Sequence, residues 1–325
     1  MSFPLPQRII VFFLGLGLAW ALAQSPAEAN EVDWAKLDDY LSSEITRARV
    51  PGVVVLAVDR EQVIFSGVYG TQASRDPLRL DQPLLIGSLS KSFTALAVMQ
   101  LVEGGQLDLE GMVEQYLPGV PGGERITIHQ LLHHTSGYGA FQDRHHLTVT
   151  ETSERHSYAG VNYVLLGEII AAVSGQSYGD YVKEQIFAPL GLTNAYTTLE
   201  EARQGGLAIG HRNYFGFPVP EDVGQPAGKD FTSPSEGNLL ASASDMGRYL
   251  QAFLNRGESI ASPASIDQIL NDRVPESDTV AYGLGWYFSS RFSEPLWHHG
   301  GAAENYQASM ILLPTSGRGV VILSN

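Results

Sequence analysis

Strand-forming runs lie at both ends of this chain and helix-forming runs fill its middle, an order that few folds accommodate. Val53 to Val58 and Val63 to Tyr69 are β-rich, follow the break Pro51-Gly52 and are joined by the polar residues Asp59 to Gln62, which predicts a hairpin. Strand patterns return only near the other end, over Tyr282 to Phe288, Tyr306 to Leu313 and Gly319 to Leu323, separated by Gly, Pro and Ser turns. Between them, apolar residues recur at helical spacing. Phe93, Leu96, Ala97 and Leu101 mark a helix over Ser90 to Glu103 that Gly104-Gly105 stops, and Val161, Leu165, Ile169 and Val173 form an i, i+4 stripe ended by Gly175. Asp180 to Phe187 and Ser244 to Leu254 continue the pattern, Thr127 to His133 is a shorter candidate, and Trp34 to Arg49 reads as a helix ahead of the hairpin. The order implies one sheet assembled from the two termini and carrying a helical insertion.

The first residues read as a targeting segment. Arg8 precedes the apolar run Ile9 to Ala23, and Ala21-Leu22-Ala23 before Gln24 supplies the small residues a signal peptidase accepts. Residues 1–23 are therefore expected to be a signal peptide and the product to be exported, to the periplasm or the exterior. An uncleaved membrane anchor is the second reading, because 15 apolar residues are short for a hydrocarbon layer of about 30 Å. The remaining residues 31–325 suffice for one large domain. The chain carries a net charge of −15, which repels phosphate backbones and anionic headgroups, so nucleic acid is not an expected partner and a small molecule or peptide is. With no cysteine, thiol catalysis, thiolate metal sites and a lipoprotein anchor are all excluded. The sequence leaves the oligomeric state open.

Ser88-Leu89-Ser90-Lys91 stands at the entrance of the Ser90 to Glu103 helix. Residues i and i+3 share a helix face, so the amine can approach the hydroxyl. An unassisted serine is a weak nucleophile, and a lysine kept neutral by burial can take its proton. The spacing alone is weak evidence: with 28 Ser and 4 Lys in 325 residues, roughly one random chain in three holds such a pair. Its surroundings add more. Leu84-Leu85-Ile86-Gly87 reads as an apolar approach and turn, and an amphipathic helix follows.

Ile86-Gly87-Ser88-Leu89-Ser90-Lys91-Ser92-Phe93-Thr94 resembles the nucleophile segment of the serine β-lactamase-related family, the class C β-lactamases and penicillin-binding-protein-like hydrolases. Further matches follow in order: Ile126 to Gly137 (ITIHQLLHHTSG), Asn162 to Gly167 (NYVLLG) and Pro189 to Leu192 (PLGL), so the similarity spans roughly Pro51 to Asn325. The resemblance implies an α/β (α+β) fold of the β-lactamase/transpeptidase type: an antiparallel sheet of N- and C-terminal strands flanked by helices, with a helical subdomain and the site between them. It implies acyl transfer through a Ser88 acyl-enzyme with Lys91 as base. Tyr158 falls at the family's proton-relaying tyrosine. His298-His299-Gly300 replaces the Lys-Thr-Gly strand in the manner of esterase- and D-aminopeptidase-like members. His298 is then expected to face the site, Gly300 and Gly301 to admit substrate, the N–H groups of Ser88 and Gly301 to hold the oxyanion, and Asn305 to lie on the substrate path. No metal or organic cofactor is called for.

Two departures narrow that picture. Gly160 stands where the family's Tyr-x-Asn motif has its Asn, and the stretch from Gly137 to Tyr158 is short. An ester or amide substrate, such as an acylated peptide or a D-amino-acid amide, is therefore expected ahead of a β-lactam or a D,D-peptide. The same departures motivate a reading of another class, a non-catalytic binding or sensor domain on this scaffold. Relatives continue past Leu323-Ser324-Asn325 into a helix, and some carry membrane helices beyond it; the chain is thus expected to be truncated, with a membrane segment in a longer form.

Other motifs rank lower. Gly175-Gln176-Ser177-Tyr178-Gly179 matches a nucleophile elbow, but a helix enters it where that turn needs a strand. His129-Gln130-Leu131-Leu132-His133 has the spacing of a zinc helix, yet Gln130 replaces the Glu that activates water and the sequence shows no third ligand. His133-His134 and His145-His146 carry no expected role.

Overall fold

A computed structural model describes residues 33–72, 76–140, 142, 144–149, 155–223, 233–303 and 305–325. The signal-peptide expectation for residues 1–23 lies outside the described residues. Among the described residues, no helix is long and apolar enough to cross a membrane.

The termini do share one sheet. Among the described residues it has eight antiparallel strands in the order β2-β1-β12-β11-β10-β9-β8-β7, where β1 is Gly52–Asp59, β2 Val63–Gly70, β7 Val274–Pro275, β8 Val280–Tyr282, β9 Tyr287–Ser289, β10 Leu296–Ala303, β11 Tyr306–Leu313 and β12 Arg318–Ser324; two short ladders lie apart from it, β3 (Leu84–Leu85) with β6 (Leu240–Ala241) and β4 (Gly210–Tyr214) with β5 (Phe217–Glu221). The predicted hairpin is β1–β2, and β1 also pairs with β12, Val54 opposite Leu323. A strand covered on both faces needs apolar residues at every position, which explains the continuous run Val53 to Val58. Val54, Leu56 and Val58 face the large helical core, while Val53, Val55 and Ala57 face a smaller one. Helix α1, Trp34–Ala48, closes the smaller core with Leu41 and Ile45, and the Asp33 side chain caps its first turn by accepting from the Lys36 amide. Edge strand β2 is largely open to solvent.

The helical insertion fills the other side. Helix α2, Ser90–Glu103, is buried nearly all round, and α4, Gly160–Ser174, packs beside it. The short helix α3, Ile128–Leu132, starts on a reciprocal capping box between Thr127 and Gln130. Helix α5, Ala243–Leu254, lies across β1 and β12, and α6, Pro263–Asn271, follows it.

One strand divides where the sequence suggested continuity. Tyr282 to Phe288 reads as a single run, but the chain reverses between β8 and β9 at Gly283-Leu284-Gly285, with Gly285 at φ 77°. A β-carbon at Gly285 would also crowd the Lys91 carbonyl at 2.8 Å, so this turn presses against α2.

Candidate active site

Ser88 lies in a single tight helical turn, Gly87–Leu89, that leads into α2. Gly87 has φ 56°, and a β-carbon there would sit 2.6 Å from the backbone nitrogen of Ala302. Glycine is thus required twice over, for the turn and for the approach of β10. On the other side of the contact, a β-carbon at Gly301 would overlap the Ile86 carbonyl oxygen. The nucleophile turn and β10 are pressed together backbone to backbone.

Lys91 is 1% exposed. Its Nζ donates to the Glu236 carbonyl at 2.6 Å and to Ser88 Oγ at 3.3 Å, and lies 5.0 Å from the Tyr158 ring centre and 5.5 Å from that of Tyr163. Burial lowers its pKa from 10.5 to about 8, partly countered by the negative charge of Glu236. With a pKa of about 8, a minor but usable fraction of the amine is neutral at pH 7, the form a base needs. Burial, outweighing the influence of the nearby Ser88 hydroxyl, raises the Tyr158 phenol and holds it protonated. Ser88, Lys91 and Tyr158, matched from the sequence, thus come together in one cluster.

The strand histidines divide differently from expectation. Residues i and i+2 of a strand share a face, so His299 lies on the face that Gly301 turns toward Ile86. The Tyr158 and His299 rings are 6.3 Å apart, and His299 is lowered to about 3, first by burial and then by Lys91, so it is neutral. His298, expected over the nucleophile, instead stacks on Tyr287 at 5.6 Å and is lowered to about 4 by burial. Both line a pocket of about 480 Å³ with Tyr158, Tyr287, Phe292 and Gly300. Strand β9 pairs with β10 only over Leu296 to His298, so the outer edge of β10 has no ladder partner in β9 from His299 onward. A β-carbon at Gly300 would meet no atom within 4 Å, which leaves room for an extended substrate along that edge. Asn305 is elsewhere: it sits in the β10–β11 turn at φ 61°, and its Nδ2 reaches Glu221, 3.4 Å from the carbonyl oxygen and 3.4 Å from Oε2.

Several participants escaped the sequence reading. His134 is buried, with Nδ1 accepting from the Ala159 amide and from Asn162 Nδ2, each at 3.1 Å, and its ring lies 4.4 Å from that of Tyr158. Burial first and Lys91 second keep it neutral, so it works as a fixed acceptor holding the Tyr158-Ala159 segment. Asn162 uses its Oδ1 on Ser136 Oγ at 2.7 Å and does not replace the missing Asn at 160. Among the described residues, the atoms nearest that gap belong to Glu236: a β-carbon on Gly160 would overlap its Oε1 and lie 2.7 Å from its Cδ.

The zinc-like spacing acquires a third group. Asp272 lies beside His129 and His133, and the three offer ligand atoms within 4.8 Å of one another. The sequence had shown no third ligand because Asp272 is far away in the chain. The groups hydrogen-bond to one another: His129 Nε2 to Asp272 Oδ2 at 2.9 Å, and His133 Nε2 to the Asp272 carbonyl at 3.0 Å. Gln130 is occupied in the helix cap, so no carboxylate takes the water-activating position.

Comparisons with known proteins agree with this fold. A family model described as Beta-lactamase matches residues 27–325. Protein flp of Staphylococcus aureus (strain NCTC 8325) is 26% identical over 317 residues, covering 89% of this chain and 62% of that protein; the chain thus spans under two thirds of its relative's length. A structure of the octameric penicillin-binding protein homologue from Pyrococcus abyssi has a TM-score of 0.81 at 31% identity, over 90% of this chain and 73% of that one. D-amino acid amidase from Ochrobactrum anthropi has a TM-score of 0.77 at 23% identity, over 90% and 91%, a likeness of fold.

Proposed function

The chain belongs to the beta-lactamase family, and from that membership and the site we propose that it is a serine hydrolase cleaving esters or amides through a Ser88 acyl-enzyme. One observation carries the proposal: a fully buried lysine, lowered to about 8, has its amine 3.3 Å from the Ser88 hydroxyl. Neutral Lys91 takes the Ser88 proton and the alkoxide attacks the carbonyl. In place of the Gly301 N–H that the resemblance implied, the N–H of Ala302, whose nitrogen lies against Gly87, joins that of Ser88 to hold the oxyanion, while Gly301 permits the close approach. Tyr158, protonated and held through His134, donates to the leaving group, and water then resolves the acyl-enzyme. His299, neutral, orients Tyr158 or the substrate from the strand.

The substrate class follows the same logic. Gly160 removes the amide side chain that the family resemblance assigns to β-lactam contacts, which favours acylated peptides and D-amino-acid amides or esters over β-lactams and D,D-peptides. The leader pattern of residues 1–23 supports export. Incubation with a fluorophosphonate should add one adduct mass to Ser88, and Ser88→Ala should abolish it. Unchanged mass in a folded sample would instead support a non-catalytic binding domain.

A further inference from the structure

The gap at Gly160 is filled from outside its own helix. Residue 160 opens α4, is buried, and any β-carbon there would occupy the space taken by the Glu236 carboxylate. Glu236 belongs to the turn Pro234–Asn238, wedged between α2 and α4. That turn is anchored on the catalytic cluster: the Glu236 carbonyl accepts from Lys91, the Ser235 carbonyl accepts from Thr94 Oγ1 at 2.7 Å, and a β-carbon at Gly237 would be 3.9 Å from the Ser88 nitrogen. The position of the carboxylate is therefore set by the same contacts that set the base.

We propose that Glu236, seated in the space that Gly160 leaves vacant, is a subsite for a protonated amine of the substrate, such as the free α-amino group of an amino-acid amide, ester or peptide. The proposal rests on Ser88 being the acylating nucleophile. Glu236 is half-buried, and among the described residues its carboxylate forms no ion pair. Lys91 approaches the backbone carbonyl of Glu236 and forms no ion pair with the carboxylate. A carboxylate left this way, on a turn whose backbone touches Lys91 and approaches Ser88, is desolvated when substrate covers it, and a cation on the substrate offsets that cost, whereas a substrate carboxylate adds repulsion. The positive charge that Glu236 already feels is that of Lys91, which is tied to the Glu236 carbonyl and not to its carboxylate, and the neighbouring strand adds none, since His298 and His299 are both neutral near pH 7.

The test compares phenylalanine p-nitroanilide, in both enantiomers, with 3-phenylpropionyl p-nitroanilide, which has the same acyl skeleton without the amine. Wild-type protein is expected to favour one amine-bearing enantiomer by at least tenfold in kcat/KM, mostly through KM. Two variants attack the subsite from opposite sides. Glu236→Gln removes the charge, and Gly160→Ala keeps the charge but displaces it, at a helical position where alanine is well tolerated. Each should bring the preference ratio to within about threefold of unity, with the strongest losses on the amine-bearing substrate. A wild-type ratio near one, or a ratio that survives in both variants, overturns the subsite. If Ser88 takes up a fluorophosphonate while neither anilide is cleaved, the subsite falls and the nucleophile stands; if Ser88 is not labelled, both fall.

Discussion

Two clusters of basic groups, one partly buried and one fully buried, are partnered in opposite ways in this molecule. At α3, His129 and His133 share the carboxylate of Asp272, and hydrogen bonds, chiefly from His133, hold that carboxyl well below the usual range. At α2, Lys91 has a carbonyl, a hydroxyl and two aromatic rings around its amine, and among the described residues no carboxylate forms an ion pair with it. The first arrangement satisfies charge and ties α3 to the end of α6. The second leaves a cation underpaired, which costs stability and makes a base. Sequence spacing does not distinguish them, since both are polar pairs one turn apart on helices.

The contrast can be broken most sharply by activity. Lys91→Ala should lower kcat/KM for an activated ester by on the order of 10³-fold or more, as expected when a nucleophile loses its base. Asp272→Asn should change it by less than threefold; a comparable collapse would mean that the two clusters work as one.

Stability should move in opposite directions. A shift of Lys91 from 10.5 to about 8 corresponds to about 3 kcal/mol at neutral pH, so Lys91→Met is expected to stabilise by up to that amount in denaturant titrations. The sign follows from proton binding. Below pH 8 the folded chain carries the buried ammonium at full cost; between about 8 and 10.5 the unfolded chain still holds the proton and wild-type stability climbs, so the advantage of Lys91→Met should vanish there. Asp272→Asn should instead destabilise by about 1–2 kcal/mol, at the low end because that carboxylate is partly exposed. Its carboxyl is depressed, so the loss should be present above pH 4 and fade as pH falls further. Stabilisation by Asp272→Asn would sink the comparison.

A smaller effect separates positioning from chemistry. His134→Ala should cost roughly 10- to 50-fold in kcat by freeing Tyr158, with Ser88 labelling slowed less than tenfold, because fluoride needs no phenol to leave. Equal losses in both assays would place His134 in the nucleophile step itself.

Much of this was legible in the chain, for reasons that can be named. Helix α2 carries its apolar spacing and its stop within one segment, β1 announces burial on both faces by a continuous apolar run, and Ser88, Lys91 and Tyr158 sit in local motifs. What stayed hidden depends on pairing between distant segments. Which of two adjacent histidines faces the site is decided by where Gly301 meets Ile86, so the expectation of His298 moves one residue to His299. Asp272 and Glu236 reach their partners only through folding, and no local pattern marks either. The division of Tyr282 to Phe288 into two strands was hidden differently: its apolar residues hid a glycine turn fitted against α2.

The rate at which a fluorophosphonate labels Ser88, followed by intact mass from pH 5 to 10, tests the role of Lys91 most directly. Deprotonation of an underpaired, buried lysine predicts a rate that rises about tenfold per pH unit and levels off around pH 8, with the rise lost in Lys91→Ala. A profile that is flat, or that levels off near pH 6 and survives in Lys91→Ala, would contradict it.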